Sequence, residues 1–239
     1  MGYWRAFEAA KSCYDQLQAS GIEVRVETNF SKVPDLVAEI GKSYLTPHLD
    51  PQRNDFTKQN CFWLSGRRGG NLVLLGGARI DDVGRDGADF LMSMINRGYG
   101  AGTIAGVSSK VDGILKGRCA YFGDLISKSA IGLGRKNVPL FSGIAHYLAA
   151  SEFRADCTYS LMRSADVNLG SADRNGFTGR LLKPLDWGQK PQGRGEDELL
   201  VFRMRDDNDD YFSSFRRESV CKQLEPLEAS MPAQLAIQA

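Results

Sequence analysis

The sequence has little excess charge, few cysteines and no long apolar run. Its 30 Lys and Arg residues nearly balance 29 Asp and Glu residues, so no overall field attracts nucleic acid or an anionic membrane. Its five cysteines lie far apart without a CxxC pair, which argues against a disulfide framework and favours a reducing compartment. No apolar run reaches the roughly 20 residues of a membrane span, and the charged N-terminal stretch is unlike a signal peptide. We therefore expect a soluble, cytoplasmic protein with neither a nucleic-acid nor a membrane partner.

Several catalytic signatures are also missing. No GxxxxGK[ST] run is present, which excludes a P-loop, and Gly132 and Gly134 are followed by Asn137 where a dinucleotide fingerprint has its third glycine. Ser142 lacks the GxSxG elbow of a hydrolase. No cysteine and histidine pair has the spacing of metal ligands. We expect no metal centre.

The first half of the chain has the periodicities of helix, strand, helix and hairpin. Residues 3–19 predict an amphipathic helix that Gly21 ends, and residues 22–29 alternate as a half-buried strand. A second helix is predicted over 31–45. The apolar runs 61–66 and 71–80 flank the turn "RRGG", which predicts an antiparallel hairpin.

The second half inserts a strand, loop, helix and strand into this pattern. Strands are predicted at 119–127 and 157–163, with a buried helix over 139–153 between them and Pro139 in its first turn. Further strands follow at 179–187 and 198–205, joined by a solvated loop, and a helix closes the pattern at 209–220. We expect one domain over 1–223 and a flexible tail over 224–239.

The stretch "SAIGLGRKNVPLF", residues 129–141, is the strongest candidate for a binding loop. Gly132 and Gly134 permit close backbone approach, and Arg135 and Lys136 add positive charge. A glycine-rich turn that feeds a helix N-terminus offers free N–H groups and a positive dipole end to an anion. The residues themselves leave open whether this loop binds phosphate or only packs a strand onto a helix.

The element order from Cys119 to Thr178 resembles the core of the GNAT superfamily of N-acetyltransferases. In that family a loop of Gln or Arg, two residues, Gly, one residue and then Gly or Ala binds the pyrophosphate of acetyl-CoA through its backbone N–H groups. The strand before the loop splays from the next strand to admit the pantetheine arm. The resemblance implies an α+β fold: a GNAT-like mixed, mostly antiparallel central sheet flanked by helices, with an N-terminal helix and a C-terminal extension.

The motif fits this sequence in two registers. One runs from Ser129 to Gly134 and lacks the leading Gln or Arg, and the other starts at Arg135 and puts Val138 and Leu140 where small residues are expected. The resemblance implies that backbone N–H groups of the preceding strand polarise the thioester carbonyl. The cofactor-binding residues that it implies are Leu125, Ile126, Gly132, Leu133, Gly134, Arg135, Lys136 and Asn137.

The predicted catalytic residues lie on the two strands that flank the loop. Asp124 is a carboxylate inside an apolar run, where burial would raise its pKa and suit it to act as a base, directly or through water. The other interpretation is that Asp124 caps a turn or pairs with Arg118 or Arg135. The tyrosine that serves as acid in the family falls at Ala172, and Tyr159 is the predicted substitute, although a sheet tyrosine is commonly a core residue.

The resemblance places the polar loop after the second helix at the acceptor site, where Tyr44 and His48 are predicted to contact substrate. It implies an acyl-CoA-dependent N-acyltransferase, in the first place an N-acetyltransferase, in which a bound amine attacks the thioester of acetyl-CoA or another acyl-CoA directly. The implied acceptor is a small-molecule or protein amine. A homodimer is also compatible with the resemblance. Two alternatives stay open: a non-catalytic ligand- or partner-binding protein on a degenerate GNAT fold, and an acyl-CoA-using signal synthase.

Overall fold

A seven-stranded mixed sheet forms the centre of the molecule. The computed structural model describes residues 3–128 and 134–223. The strand order in the sheet is β1-β2-β3-β5-β6-β9-β7, and β4 and β8 form a separate two-stranded sheet. The nine strands of the described part are β1 (Glu23–Glu27), β2 (Cys61–Arg68), β3 (Asn71–Gly84), β4 (Ile104–Val107), β5 (Gly117–Ser127), β6 (Cys157–Arg163), β7 (Gly179–Leu182), β8 (Leu185–Trp187) and β9 (Glu198–Met204).

The sheet is antiparallel except at its centre. The first four neighbours, β1, β2, β3 and β5, pair antiparallel, and so do β6, β9 and β7. The parallel step joins β5 to β6, and its pairing extends only from Cys119–Cys157 to Tyr121–Tyr159. The two strands separate beyond that point. The predicted α+β class, with a mixed and mostly antiparallel central sheet flanked by helices, is confirmed.

Helices cover both faces of the sheet. Helices α1, α4 and α7 pack on one face around a core that includes Leu17, Leu74 and Phe141. Helices α2 and α3 pack on the other around Trp63 and Leu91. No helix in residues 3–128 or 134–223 has the length and apolar character of a bilayer span. The helices are α1 (Tyr3–Ala19), α2 (Val33–Ile40), α3 (Gly87–Tyr99), α4 (Gly134–Ser151), α5 (Ser164–Asn168), α6 (Ser171–Arg174) and α7 (Asn208–Gln223).

Three element boundaries differ from the sequence prediction. Helix α4 begins at Gly134, so Pro139 lies inside the helix rather than in its first turn. Helix α2 ends at Ile40 because Gly41 adopts a left-handed conformation with φ 91°. The single strand predicted over 179–187 divides into β7 and β8 around Pro184, and β8 pairs with the unpredicted β4. The prediction of one domain with a flexible tail stays a prediction, since residues 224–239 lie outside the described part.

A β-bulge interrupts β5 where it leaves β6. Leu75 of β3 pairs with Ile126 and Gly77 with Gly123, so Asp124 and Leu125 stand opposite a single residue of β3. Asp124 has φ 53°, which an aspartate tolerates better than most residues but which still costs free energy. A bulge of this kind redirects side chains and bends its strand. It therefore places Asp124 at the gap between the two central strands.

Candidate functional site

A cavity of about 330 Å³ crosses the sheet at the gap between β5 and β6. It has a limb on each face of the sheet. The side that faces α2 and the loop after it, called the charged limb, is lined by Lys42, Tyr44, Tyr121, Asp124, Arg194 and Glu198. The side that faces α4, called the apolar limb, is lined by Phe62, Leu64, Ala78, Phe122, Phe141 and Ala145.

Asp124 is held in the charged limb by three donors. Its side chain is 1% exposed and forms an ion pair with Lys42 Nζ. Thr46 donates from its backbone N–H to Oδ2 at 3.1 Å and from Oγ1 to Oδ1. The predicted partner Arg118 lies beside Asp82 instead, 3.9 Å away. The carboxylate therefore ties the loop after α2 to the bulge of β5.

Glu198 is a second buried carboxylate in the charged limb, and it was not predicted. Arg194 Nη2 donates to Oε2 at 2.6 Å, and the Gly195 N–H donates to Oε1 at 3.2 Å. The guanidinium of Arg194 lies 5.8 Å from the ring centroid of Tyr99 and 6.0 Å from that of Trp187. The loop between β8 and β9, which was predicted to be solvated, thus buries Arg194. The ion pair with Glu198 compensates the two charges where water is excluded.

Tyr121 is the phenol that reaches the charged limb from β5. It is 2% exposed, and burial raises its pKa, so its hydroxyl keeps its proton and can donate a hydrogen bond. A Cβ on Gly123 would lie 3.2 Å from the Tyr121 hydroxyl and 2.9 Å from Leu49. The glycine before the bulge therefore leaves the space that the phenol occupies.

The other predicted catalytic and acceptor-binding residues do not all lie at the cavity. Tyr44 lines the cavity and is 52% exposed. Tyr159 is fully buried away from the cavity lining, and its hydroxyl contacts Met94 Sδ at 3.6 Å. His48 is also buried and outside the lining, and burial lowers its pKa to about 3, which keeps it neutral. Of these three residues, Tyr44 is at the cavity, whereas Tyr159 and His48 are core residues that cannot reach a substrate in it.

Aromatic rings shape the apolar limb. Phe62 of β2 stacks on Phe153, with ring centroids 5.3 Å apart and an interplanar angle of 22°. Phe122 of β5 meets the edges of Phe62 and Phe177, each at 6.3 Å. Ser142 also lines the cavity, and its buried hydroxyl has no hydrogen-bond partner among the described residues. This part of the limb is thus aromatic and apolar, with the unsatisfied Ser142 hydroxyl at its wall.

The first turn of α4 carries the described part of the predicted phosphate loop. The first N–H groups of a helix have no acceptor within it, and in α4 they include those of residues 134–136. Lys136 is exposed and Asn137 is buried in this turn. Gly132 and Leu133 lie outside the described residues. The helix start fits the motif register that ends at Gly134, because the other register runs inside the helix.

The described residues contain neither a candidate metal site nor a disulfide bond. No group of three or more histidine, cysteine, aspartate or glutamate side chains there could hold a metal ion. Cys13, Cys61, Cys119 and Cys157 are buried free thiols. Burial raises the pKa of the Cys61 thiol to about 12, so it is not a reactive thiolate at neutral pH.

No protein-family model and no curated protein matches the sequence. Among solved structures, the chain is similar to a spermidine/spermine N-acetyltransferase from Vibrio cholerae, determined in complex with manganese ions, with 12% identity, 80% of this chain and 96% of that chain covered, and a TM-score of 0.48. The corresponding values for an N-acyl amino acid synthase from uncultured soil microbes are 12%, 82%, 97% and 0.47. For an N-acetyltransferase from Staphylococcus aureus Mu50 they are 12%, 77%, 97% and 0.42.

Proposed function

We propose that this chain is an acyl-CoA-dependent N-acyltransferase that uses the cavity between β5 and β6. The supporting observation is the cavity itself, which joins an apolar limb on one face of the sheet to a charged limb on the other. A thioester enters from the α4 side and an amine from the α2 side. The two substrates meet at the gap, where holding them in line supplies much of the rate enhancement.

The acyl-CoA is held by the loop before α4 and by the first turn of that helix. The proposed contacts are the N–H groups of the turn and of Gly132 and Leu133, with positive charge from Arg135 and Lys136. Phe141 lies seven residues beyond Gly134, or about 10 Å along the helix axis. That length of helix separates the pyrophosphate from the apolar limb and leaves room for the pantetheine arm.

The thioester carbonyl is placed at the bulge of β5. Leu125 and Ile126 line the cavity beyond the point where pairing with β6 ends, and a backbone N–H of one of them is the proposed donor to the carbonyl oxygen. Such a donor stabilises the charge that develops on the oxygen in the tetrahedral intermediate. Ser142, with its unsatisfied hydroxyl, is the proposed donor to the pantetheine arm.

The amine attacks from the charged limb. Asp124 is the proposed base and takes a proton from the attacking amine, directly or through one water. The new C–N bond forms, the C–S bond breaks, and CoA leaves as a thiolate that takes up a proton. Tyr121 is a candidate proton donor for this step because it lines the cavity and its buried hydroxyl is protonated at neutral pH. Glu198 and Tyr44 line the charged limb and are the proposed contacts of the acceptor.

The acceptor is most simply a small-molecule amine, and acetyl is the smallest acyl group that the site would transfer. A free amine is usually protonated near neutral pH, and Asp124 and Glu198 are already paired with Lys42 and Arg194, so the charged limb suits the neutral form of the amine. The four buried free thiols are compatible with a reducing cytoplasm as the site of the reaction.

Release of free CoA from acetyl-CoA, measured with a thiol reagent over a panel of amines, tests the proposal. We expect amine-dependent release that the Asp124→Asn variant lowers by about 100-fold or more, the usual contribution of a positioned base. Asp15→Asn, an exposed carboxylate of α1, is the matched control and keeps full activity. Folded protein that releases no CoA with any amine would favour the non-catalytic alternative, to which the alanine at position 172 also points.

A further inference from the structure

The apolar limb reaches farther under the sheet than an acetyl group needs. It runs from Phe122 on β5, past Gly76 and Ala78 on β3, to Phe62 and Leu64 on β2. Adjacent strands lie about 4.8 Å apart, so the limb crosses two strand spacings, or about 10 Å. An acetyl group at the bulge would fill only its mouth.

Small residues keep this space open between the sheet and α4. Ala78 on β3 and Ala145 on α4 line the limb from opposite sides. At Gly76 the limb is narrow, because a Cβ there would lie 3.2 Å from Leu125 Cδ1 and 3.5 Å from Phe141 Cε1. Larger side chains at Ala78 or Ala145 would close the gap and gain packing contacts, because an apolar void costs stability. The chain instead retains a preformed apolar space that opens at the reacting centre.

We propose that the natural acyl donor carries a medium-length alkyl chain, of about six to ten carbons, that lies in the apolar limb. An extended chain of about eight carbons spans 10 Å, since each C–C bond is about 1.5 Å long and the chain zigzags. The inference rests on the proposed function, because the thioester must sit at the bulge for its chain to enter the limb. The aromatic walls exclude polar acyl groups, which would lose their hydrogen bonds to water there.

The test is isothermal titration of the whole protein, without acceptor, with acetyl-, butyryl-, hexanoyl-, octanoyl-, decanoyl- and dodecanoyl-CoA. Each buried methylene contributes up to about fourfold in affinity, so we expect Kd to fall by about 100-fold or more from acetyl- to octanoyl-CoA. The fall should end by about ten carbons, where the limb closes. Equal Kd values across the series would overturn the chain site and leave the proposed function standing, whereas failure of every thioester to bind would overturn both.

A filled-limb variant separates the chain site from general hydrophobic binding. Ala145→Leu should weaken octanoyl-CoA binding by about tenfold or more and leave the Kd of acetyl-CoA within about twofold. Ala150→Leu is the matched control on the same helix, because Ala150 lies outside the cavity lining, and it should change neither Kd. Circular dichroism checks that both variants fold. Equal effects of the two variants on octanoyl-CoA, in folded protein, would contradict an acyl chain in the limb.

Discussion

Replacing Lys42 by methionine probes how the bulge of β5 is held. The Asp124 side chain is 1% exposed and the Lys42 side chain 16% exposed, so their ion pair is largely shielded from water. Methionine keeps most of the apolar stem of lysine and removes the charge. Asp124 would then retain only the two hydrogen bonds from Thr46.

The expected loss of unfolding free energy in Lys42→Met follows from the burial of this ion pair. Removing one partner of a buried ion pair costs about 3–5 kcal/mol, because a charge is left uncompensated. The two donors of Thr46 remain, so we expect the low end, about 3 kcal/mol. Such a loss is a large part of the 5–15 kcal/mol by which most domains are stable. Asp124→Asn should cost less, since an amide oxygen can still accept from Thr46.

Urea unfolding of the wild type, Lys42→Met, Asp124→Asn and the double variant measures the coupling. We expect the double variant to lose at least about 1 kcal/mol less than the sum of the single losses, since contacting residues are coupled. Lys11→Met is the matched control, because Lys11 and Asp15 pair at the surface with side chains 62% and 54% exposed, and it should cost under about 1 kcal/mol. A loss for Lys42→Met no larger than that of the control would refute the reasoning.

Three further predictions concern acid stability, packing and the acceptor. The pKa of His48 is lowered from 6.5 to about 3, so between these values the unfolded state binds more protons and stability falls as the pH drops. This group should cost about 2–3 kcal/mol of stability between pH 7 and 4.5. His48→Gln should reduce that loss in urea unfolding, and an unchanged loss would contradict the assignment. Gly77→Ala should destabilise by about 1–3 kcal/mol in urea, because its Cβ would lie 2.5 Å from the Trp63 indole, whereas Gly113→Ala meets nothing within 4 Å; equal losses would refute the clash. Glu198→Gln should lower kcat/KM for the amine and leave the Kd of acetyl-CoA unchanged. Weaker binding of acetyl-CoA by this variant would instead indicate that Glu198 contacts the acyl donor.

The element order was predictable because each element has a clear local pattern. Alternation marked β1, and the glycines at 69 and 70 marked the hairpin between β2 and β3. Asp124 was also conspicuous, as a carboxylate in an apolar run, and the structure places it at a bulge. The division at Pro184 was missed although the signal was present, since proline removes a donor from a strand.

The charged limb was less predictable because it joins residues that are distant in sequence. Lys42 lies 82 residues before Asp124, and no local pattern pairs them. Arg194 lies in a stretch with the glycines, proline and charges of a solvated loop, and its contacts with Glu198, Tyr99 and Trp187, which bury it, are made only in the fold. A signal for Glu198 did exist, because alternation along β9 places it on the same face as the buried Leu200.

Isothermal titration with acetyl-CoA, for the wild type and Gly134→Val, tests most directly whether this chain is an acyl-CoA-dependent enzyme. Gly134 lies outside the cavity lining, and valine at this start of α4 would obstruct the backbone approach of a pyrophosphate. We expect saturable binding of one acetyl-CoA per wild-type chain and a Kd about tenfold or more higher in the variant. Absence of binding to the folded wild type, or equal binding by both proteins, would contradict it.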